Sequence, residues 1–243
     1  MLSKNQQKLL RALAQKKYRK QHGLYLVQGA KNVQELLIAG KPVKHLFASA
    51  DFIADNQALL EGYDVVLCDE AELSKVSTLV SNNAAIAIAQ TEPQAELNTQ
   101  GLILALDDVS DPGNLGTIIR VADWYGLSQI VLSEHCADHL NPKVISATMG
   151  SFARVAVIRT DLCALLQDYD GPVYGAFLEG ESVHTTPFAA RGILVMGSES
   201  HGISDAVAQH INQPITIPAF GGAESLNVAM ATGIILDNIK RHS

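Results

Sequence analysis

The sequence predicts an α/β protein with two domains. Apolar stretches of strand length alternate with helical patterns from residue 24 to residue 241, which is the arrangement that builds sheets covered by helices. The alternation is interrupted at residues 91–100, where the chain is polar, contains Pro93 and has no periodicity, as a linker does. The run from Gly192 to Met196 is continuously apolar, which is typical of a strand buried on both faces of a parallel sheet.

Composition restricts the class of protein. Of the 243 residues, 47% are hydrophobic and 18% are charged, which indicates a folded chain with a sizeable core. No apolar run reaches the roughly 20 residues that cross a bilayer, and the N-terminus lacks the apolar segment of a signal peptide. We therefore expect a cytoplasmic protein without a membrane partner. The three cysteines lack the spacing of paired metal ligands, so neither a disulfide framework nor a metal site is expected.

Charge is distributed unevenly along the chain. The formal net charge is -7, yet ten of the 18 Lys and Arg residues lie in residues 1–44, together with a single acidic residue, Glu35. A basic segment on an acidic body favours a phosphate-contacting end, because local field and counterion release drive nucleic-acid binding. The alternative is a solvated basic helix face, and charge alone leaves both interpretations open.

Residues 1–90 predict a small α/β domain. Ser3 is a suitable N-cap for a helix that continues to about Lys20, with Leu9, Leu10 and Leu13 on one side. Gly23 ends that helix. Strands are predicted at 24–27, 43–48, 63–67 and 84–89, and further helices at 33–39, 52–60 and 70–79.

Residues 101–243 predict a second α/β domain after the linker. Its strands are predicted at 102–106, 129–132, 153–158, 173–177, 193–196 and 215–217, and its helices at 114–124, 142–148, 161–167, 204–209 and 225–241. Ligands of open parallel sheets bind outside the carboxyl ends of the strands. We therefore expect the polar turns that follow these strands to line one pocket.

Three polar turns carry the candidate chemistry. The first starts a helix at Asp111 and Pro112 and leads to Arg120, whose guanidinium lies within an apolar helical stretch and should face a pocket or an anionic partner. The second spans residues 197–202, and the third leads into a helix for which Ser225 is a natural N-cap. Each turn alone could be an ordinary connection between a strand and a helix. The sequence has no G-x-x-x-x-G-K-[ST] motif, and no G-x-G-x-x-G motif follows the first strand of either domain. The common nucleotide-binding folds are therefore disfavoured.

Taken together, the three turns resemble motifs one, two and three of the SpoU (TrmH-like) RNA ribose 2'-O-methyltransferases of the SPOUT superfamily. The matching positions are Asn114, Gly116 and Arg120 for motif one, Gly197, Glu199, Gly202 and Ser204 for motif two, and Pro218 and Glu224–Val228 for motif three. Residues 1–90 resemble the L30e-like substrate-binding domain often joined to this one, with Tyr25 and Gly29 at its Phe/Tyr-x-x-x-Gly positions. Gln28 stands where that segment usually has Glu, and residues 81–85 lack the usual glycine.

The resemblance implies a C-terminal SPOUT domain with a deep trefoil knot that binds S-adenosyl-L-methionine. It also implies methyl transfer to a ribose 2'-hydroxyl of structured RNA, and a homodimer that pairs the knotted domains. By motif position, the backbone at Gly197, Ile217 and Leu226 would hold the cofactor, with Gly175, expected just after its strand, as a further contributor.

The resemblance also implies roles for five polar side chains. Arg120 would be the catalytic base, but a guanidinium normally stays protonated, so Arg120 would instead bind the target's phosphate and hydroxyl unless burial and neighbouring dipoles removed its proton. Asn114 would orient the ribose and Glu199 would order Arg120 or the second turn. Ser225 and Asn227 would fix the nucleotide at a helix N-terminus.

Two alternatives stay open, one from another class of protein and one a different enzyme. One is a catalytically silent RNA-binding or ribosome-assembly protein that kept the SPOUT fold, which the presence of Asn114, Arg120 and Ser225 disfavours. The other is a SPOUT enzyme that methylates a base, which the Ser-Leu-Asn signature at residues 225–227 disfavours. Modifiers of ribosomal RNA and of transfer RNA share these motifs, so the motifs leave the substrate RNA open.

Overall fold

The computed structural model describes residues 2–242, which form ten α-helices, ten strands and one short 3-10 helix, Ser151–Ala153. The helices are α1 (Lys4–Leu13), α2 (Lys16–His22), α3 (Ala30–Ile38), α4 (Ala50–Asp55), α5 (Glu70–Val76), α6 (Pro112–Trp124), α7 (Pro142–Thr148), α8 (Leu162–Gln167), α9 (Asp205–Ala208) and α10 (Val228–His242). The strands are β1 (Leu24–Gln28), β2 (Val43–Ala48), β3 (Val65–Leu67), β4 (Ala85–Gln90), β5 (Leu102–Leu106), β6 (Gln129–Leu132), β7 (Ala156–Arg159), β8 (Val173–Ser182), β9 (Gly192–Met196) and β10 (Gln213–Thr216). None of the described helices is long and apolar enough to span a membrane.

The described chain divides into two compact units. The first contains the chain up to Pro93 together with Asp138–Arg154, and the second contains Gln94–Ala137 and the chain from Val155 onward. These units are defined by packing, whereas the predicted domains, 1–90 and 101–243, are continuous stretches of sequence. The predicted domain boundaries therefore stay a prediction.

The first unit is built on a four-stranded sheet of order β1-β4-β2-β3. β4 is antiparallel to both β1 and β2, and β3 is parallel to β2. Tyr25 and Val27 belong to one hydrophobic cluster, whereas Leu24 and Leu26 belong to another. This alternation follows from the two-residue period of a strand, and it shows that both faces of the sheet are covered.

The single helix predicted from Ser3 to about Lys20 is wrong, because the chain forms two helices. α1 ends at Leu13, and Gln15 is extended before α2 begins. The side chain of Arg19 donates hydrogen bonds to the carbonyl oxygens of Leu13 and Ala14 at 2.9 and 2.8 Å. It also forms an ion pair of 2.6 Å with Asp138, and this long-range contact stabilises the break.

Residues 138–154 pack within the first unit, although they follow motif one in sequence. α7 lies against β1, and Ile145 is fully enclosed in one of the two hydrophobic clusters. Gly150 has φ +100°, and a Cβ atom there would lie 2.3 Å from Cγ of Glu35. Arg154 forms an ion pair with Glu35, so ion pairs hold both ends of the segment.

The second unit contains a six-stranded sheet of order β10-β8-β9-β5-β6-β7 in which every neighbouring pair is parallel. The predicted parallel sheet is therefore confirmed. β5 and β9 are adjacent and pair along their full lengths, from Leu102 with Gly192 to Leu106 with Met196. Their carboxyl ends, from which two of the candidate turns begin, consequently lie side by side.

Gly175 lies inside β8, within the strand predicted at 173–177, and not after the strand, where its suggested cofactor contact would place it. β8 continues to Ser182, and Gly175 pairs with Val195 on one side and Pro214 on the other. The register with β10 then jumps, because the next residue of β10, Ile215, pairs with Glu181. A Cβ atom at Gly175 would lie 2.4 Å from Cδ1 of Ile211, which gives this glycine a packing role.

Candidate active site

Motif one begins where β5 ends. The Asp111 side chain caps α6 by accepting a hydrogen bond of 2.8 Å from the backbone N–H of Asn114. Pro112 occupies the first turn, where a missing N–H costs nothing, so the predicted helix start at these two residues is confirmed. The cap fixes Asn114 in the first turn of α6, at the carboxyl edge of the sheet.

Motif two is a tight loop after β9. Ser198 and Gly202 exchange two backbone hydrogen bonds of 2.9 Å, which close the loop around Glu199. Gly197 lies so close to the far side of the loop that a Cβ atom would be 2.1 Å from the carbonyl carbon of Gly202. Only glycine fits at this position, because the neighbouring atoms are main chain and cannot rotate away.

Motif three differs from the prediction in its helix cap. α10 begins at Val228, and Oδ1 of Asn227 accepts hydrogen bonds from the N–H groups of Ala229 and Met230 at 3.0 and 3.3 Å. Asn227 is therefore the N-cap, and the prediction that Ser225 caps this helix is wrong. Ser225 lies in the irregular segment before the helix and is exposed.

The three motifs meet in one chain of side-chain hydrogen bonds. Nδ2 of Asn227 donates to Oδ1 of Asn114 at 2.9 Å, and Nδ2 of Asn114 donates to Oε1 of Glu199. These contacts join residues that are 113 and 85 positions apart in sequence. One proton of the Asn114 amide and the second oxygen of Glu199 stay available to a ligand, because each group has more hydrogen-bonding capacity than these contacts use.

Asp107 connects motif one to motif two by a hydrogen bond, and its role was not predicted from the sequence. Its side chain is only 3% exposed, and its Oδ2 accepts a hydrogen bond of 2.8 Å from the backbone N–H of Ser204. Its own N–H donates to the carbonyl oxygen of Met196 at 2.8 Å, which extends the pairing of β5 with β9. The available signal was an aspartate directly after an apolar strand, at the edge where ligands of parallel sheets bind.

The loop Ser133–Ala137 supports the motif-one turn from the side of β6. Asp108 has φ +57°, and it is held there by Oγ of Ser133, which accepts from its N–H and donates to its carboxylate. The N–H of Ala137 donates to the carbonyl oxygen of Val109 at 2.9 Å. The Arg159 side chain in turn donates to four main-chain carbonyl oxygens of the loop, those of Ser133, Glu134, Cys136 and Ala137.

Arg120 and Ser225 stand apart from the hydrogen-bonded chain. Arg120 is exposed on α6, six residues after Asn114, which corresponds to about 9 Å along the helix axis. Within residues 2–242, neither its guanidinium nor the Ser225 hydroxyl makes a hydrogen bond or ion pair. Of the five predicted polar residues, the fold thus connects Asn114, Glu199 and Asn227 directly.

The segment 217–226 presents open main chain next to these residues. None of its N–H groups donates a hydrogen bond to another part of the described chain. Ile217 is half-buried, whereas the side chain of Leu226 is 51% exposed. A polar ligand at the carboxyl end of β10 could therefore bind main-chain groups without displacing an existing partner.

The remaining reactive groups are the cysteine thiols and the side chains that could bind a metal ion. Burial raises the pKa of Cys68, Cys136 and Cys163, which keeps these thiols protonated and weakly nucleophilic near neutral pH. Among the side chains that the structure describes, there is no group of three or more His, Cys, Asp or Glu that could hold a metal ion.

Comparison with known proteins agrees with this geometry. The model of the SpoU rRNA Methylase family matches residues 101–237, and the model of the MRM3-like substrate binding domain matches residues 4–87. The 23S rRNA (guanosine(2553)-2'-O)-methyltransferase RlmP of Bacillus subtilis is 30% identical over 243 residues, which cover 98% of this chain and 97% of the relative.

Solved structures give the same result. A TrmH-family structure from Porphyromonas gingivalis superposes with a TM-score of 0.88 at 38% identity and covers 100% of both chains. An AdoMet-bound rRNA methyltransferase from Sinorhizobium meliloti superposes with a TM-score of 0.86 at 31% identity and covers 100% of this chain and 96% of its own. The family match spans more than half of the residues and includes all three motifs, so this chain belongs to the SpoU rRNA methylase family.

Proposed function

We propose that this protein is an RNA methyltransferase that transfers a methyl group from S-adenosyl-L-methionine to a ribose 2'-hydroxyl. The observation that carries the proposal is the hydrogen-bonded chain Asn227–Asn114–Glu199, which joins three distant motifs at the carboxyl edge of a parallel sheet. Relatives support the reaction class, because RlmP of Bacillus subtilis is named as an rRNA 2'-O-methyltransferase and the Sinorhizobium meliloti structure contains AdoMet. Ribosomal RNA is accordingly the first substrate to test.

The residues present fit this cofactor. The open N–H and carbonyl groups of segment 217–226 can bind its polar adenosine and methionine parts, and the exposed side chain of Leu226 offers an apolar contact. Gly197 keeps the neighbouring loop compact and thereby places Glu199 at the edge of the same region. When bound, S-adenosyl-L-methionine supplies an electrophilic methyl group on a sulfonium.

Asn114 is the residue best placed to orient the acceptor ribose. Both ends of its amide are fixed, because Asn227 donates to its oxygen and Glu199 accepts from its nitrogen. A fixed amide presents its remaining donor in one direction, and such positioning accounts for much of the rate of a displacement reaction. Ser225, which has no partner among the described residues, can bind the nucleotide from the segment before α10.

Arg120 supplies positive charge to the anionic substrate. Its exposed guanidinium has no carboxylate partner among residues 2–242, so it is available to a phosphate and to the target hydroxyl. A guanidinium is a hydrogen-bond donor only and cannot accept a proton from the hydroxyl while it is charged. In this proposal Arg120 therefore positions the nucleotide and stabilises negative charge on the attacking 2'-oxygen, whose proton passes to solvent.

The decisive experiment separates cofactor binding from methyl transfer. We expect Arg120→Ala to bind S-adenosyl-L-methionine like the wild type in calorimetry but to lose methyl transfer to RNA by at least about 100-fold, the usual effect of removing one stabilising donor. Arg191→Ala is the control, since Arg191 is a half-buried arginine that precedes β9 at the opposite end of the strand. Wild-type turnover in Arg120→Ala would remove this residue from the mechanism.

The same assay tests the silent RNA-binding alternative. A protein of that kind would bind RNA but would incorporate no labelled methyl group with any RNA fraction offered, and its Arg120→Ala variant would differ in RNA affinity alone. Mapping 2'-O-methyl groups in RNA from cells with and without this protein would then identify the modified nucleotide.

Homodimerisation, a deep trefoil knot and a cytoplasmic location complete the proposal. Four large apolar side chains are exposed on or near α6 and α10, at 84% for Trp124, 94% for Phe220, 51% for Leu226 and 63% for Met230. A set of exposed apolar residues of this kind is typical of an interaction surface. The knot is expected from membership of the SpoU family. A cytoplasmic location is expected because the relatives are named for modifying ribosomal RNA.

A further inference from the structure

Methyl transfer to a ribose requires a group that takes the hydroxyl proton, and the charged guanidinium of Arg120 cannot be that group. A guanidinium only donates hydrogen bonds, whereas a carboxylate accepts them at both of its oxygens. A general base must also lie within hydrogen-bond reach of the hydroxyl, at about 2.6–3.2 Å between heavy atoms. The candidates are therefore the carboxylates and imidazoles close to Asn114, the residue that orients the ribose.

The carboxylates of the motif-one turn hold the main chain in place. Asp107 is 3% exposed, and its Oδ2 accepts a hydrogen bond of 2.8 Å from a backbone N–H of motif two. Asp108 accepts a hydrogen bond of 2.7 Å from Oγ of Ser133, and Asp111 caps α6. Because hydrogen bonds to an ionised acceptor are the stronger ones, proton uptake by any of these aspartates would weaken a contact that shapes the turn.

Glu199 differs from these aspartates, because it is exposed and is joined to the amide that orients the ribose. Nδ2 of Asn114 donates to its Oε1, whereas its Oε2 has no partner among residues 2–242. The two backbone hydrogen bonds between Ser198 and Gly202 close the loop that presents it. Glu199 is thus held by the loop and by Asn114, and one carboxylate oxygen stays free.

The pairing of Asn114 with Glu199 suits a hydroxyl group. The Asn114 nitrogen that has a proton left over is the same atom that donates to Glu199, so an oxygen bound to this nitrogen lies next to the carboxylate. A ribose hydroxyl can accept a hydrogen bond from Nδ2 and donate one to Oε2. An amide donor beside a free carboxylate oxygen therefore satisfies both hydrogen-bonding roles of the group that is to be methylated.

We propose that Glu199 is the general base of the methyl transfer. This inference rests on the proposed RNA methyltransferase function and assigns the first acceptor of the proton that ends in solvent. The bond between the 2'-oxygen and its proton breaks, the proton moves to Oε2 of Glu199, and the oxygen forms a bond to the methyl carbon. The electron pair of the broken bond between sulfur and carbon stays on the sulfur of the sulfonium donor. Protonated Glu199 then releases its proton to water, and Arg120 stays charged throughout.

His201 is the competing base in the same loop. Its Nδ1 atom lies 2.9 Å from Oγ of Ser200, and within residues 2–242 its ring has no contact with Asn114. Glu224, in the segment before α10, is exposed and makes no hydrogen bond to Asn114 either. Of these acceptors, the fold connects Glu199 alone to the side-chain amide of Asn114.

The first test is methyl transfer by Glu199→Gln, with unmodified ribosomal RNA transcribed in vitro as the substrate. Single-turnover kinetics separate the chemical step from product release. Glutamine keeps an oxygen that accepts from Asn114 but is not basic, so the rate should fall by about 10²–10⁴-fold, the usual contribution of general acid–base catalysis. The Kd for RNA in filter binding and the Kd for S-adenosyl-L-methionine in calorimetry should stay near their wild-type values.

Asp205→Asn is the matched control for the loss of one carboxylate. Asp205 is exposed at the start of α9, six residues after Glu199, and its side chain makes no hydrogen bond or ion pair in the described chain. This variant changes the net charge of the same region by the same amount as Glu199→Gln. We expect it to transfer methyl groups at the wild-type rate.

Sodium formate distinguishes a base from a residue that only positions its neighbours. Glu199→Ala leaves room for a small carboxylate, so formate added at constant ionic strength should restore part of its rate. Asn114→Ala should be slow with and without formate, because a dissolved base cannot orient the ribose.

Three results would overturn the inference. The first is wild-type turnover in Glu199→Gln, and the second is a slow Glu199→Ala that formate does not restore, which would limit Glu199 to holding Asn114. The third is a larger loss of rate in His201→Gln than in Glu199→Gln, which would assign the base to His201. Absence of methyl transfer by the wild type would contradict the enzymatic function as well, whereas wild-type turnover in Glu199→Gln would contradict the role of Glu199 alone.

Discussion

Replacing Gly197 by alanine tests whether the compact motif-two loop is required for cofactor binding. The added Cβ would lie 2.1 Å from the Gly202 carbonyl carbon and 2.2 Å from the Ile203 nitrogen, so the loop must open. Opening breaks the two backbone hydrogen bonds between Ser198 and Gly202, worth about 0.5–1.5 kcal/mol each. Overpacking adds about 1–3 kcal/mol, which gives roughly 2–6 kcal/mol in all.

The expected results are a weaker cofactor complex and a lower melting temperature. A cost of about 2 kcal/mol for restoring the loop corresponds to a roughly 30-fold higher Kd for S-adenosyl-L-methionine in calorimetry. The melting temperature should fall by about 4 °C or more for a chain of this size. Gly101→Ala is the matched control, because its Cβ would have no atom within 4 Å and Gly101 precedes β5 at the opposite end of the strand. Wild-type affinity and melting temperature in Gly197→Ala would refute the argument.

Two further predictions concern residues outside the motifs. Asp138→Asn should destabilise the protein by roughly 2–4 kcal/mol because Arg19 stays buried without its anion, whereas Asp170→Asn, in the exposed pair with Arg191, should leave the melting temperature unchanged. Burial alone would raise the pKa of Asp138, but the hydrogen bond and charge of Arg19 lower it below its ordinary value. This stabilisation is present above about pH 4 and is lost as the pH falls through the folded pKa of Asp138. The difference between the melting temperatures of Asp138→Asn and Asp170→Asn should therefore shrink in acid. A difference that stays constant with pH would contradict the mechanism. Arg159→Lys, which cannot reach four carbonyl oxygens, should lower kcat and leave the Kd for S-adenosyl-L-methionine unchanged; unaltered kcat would show that the loop Ser133–Ala137 does not position motif one.

The bounds of helices and strands were predicted correctly where a single local residue starts or ends the element. β5 begins and ends as predicted, because a continuous apolar run is stopped by Asp107. α7 also has its predicted bounds, since Asn141 caps it and Pro142 fits the first turn. Asn114 and Glu199 were identified through motif positions, and the hydrogen bond between them shows that the fold brings these positions together.

The errors arose where a distant partner decides the local structure. Ser225 and Asn227 are both good caps, and Asn227 is used because its amide also binds Asn114, 113 residues earlier. The break between α1 and α2 depends on Arg19, whose anionic partner is Asp138. The extension of β8 depends on a shifted register with β10. No periodicity or propensity within any of these segments contains that information.

The contact between Asn227 and Asn114 also sets the order in which the protein can become active during synthesis. Asn114 and its helix leave the ribosome long before α10 does, and until Asn227 has been added the amide of Asn114 has no donor to hold its oxygen. Contacts between residues so far apart form late, since the intervening chain must first be ordered. A growing chain therefore carries motif one in an unfinished state until the segment that contains Asn227 has left the ribosome.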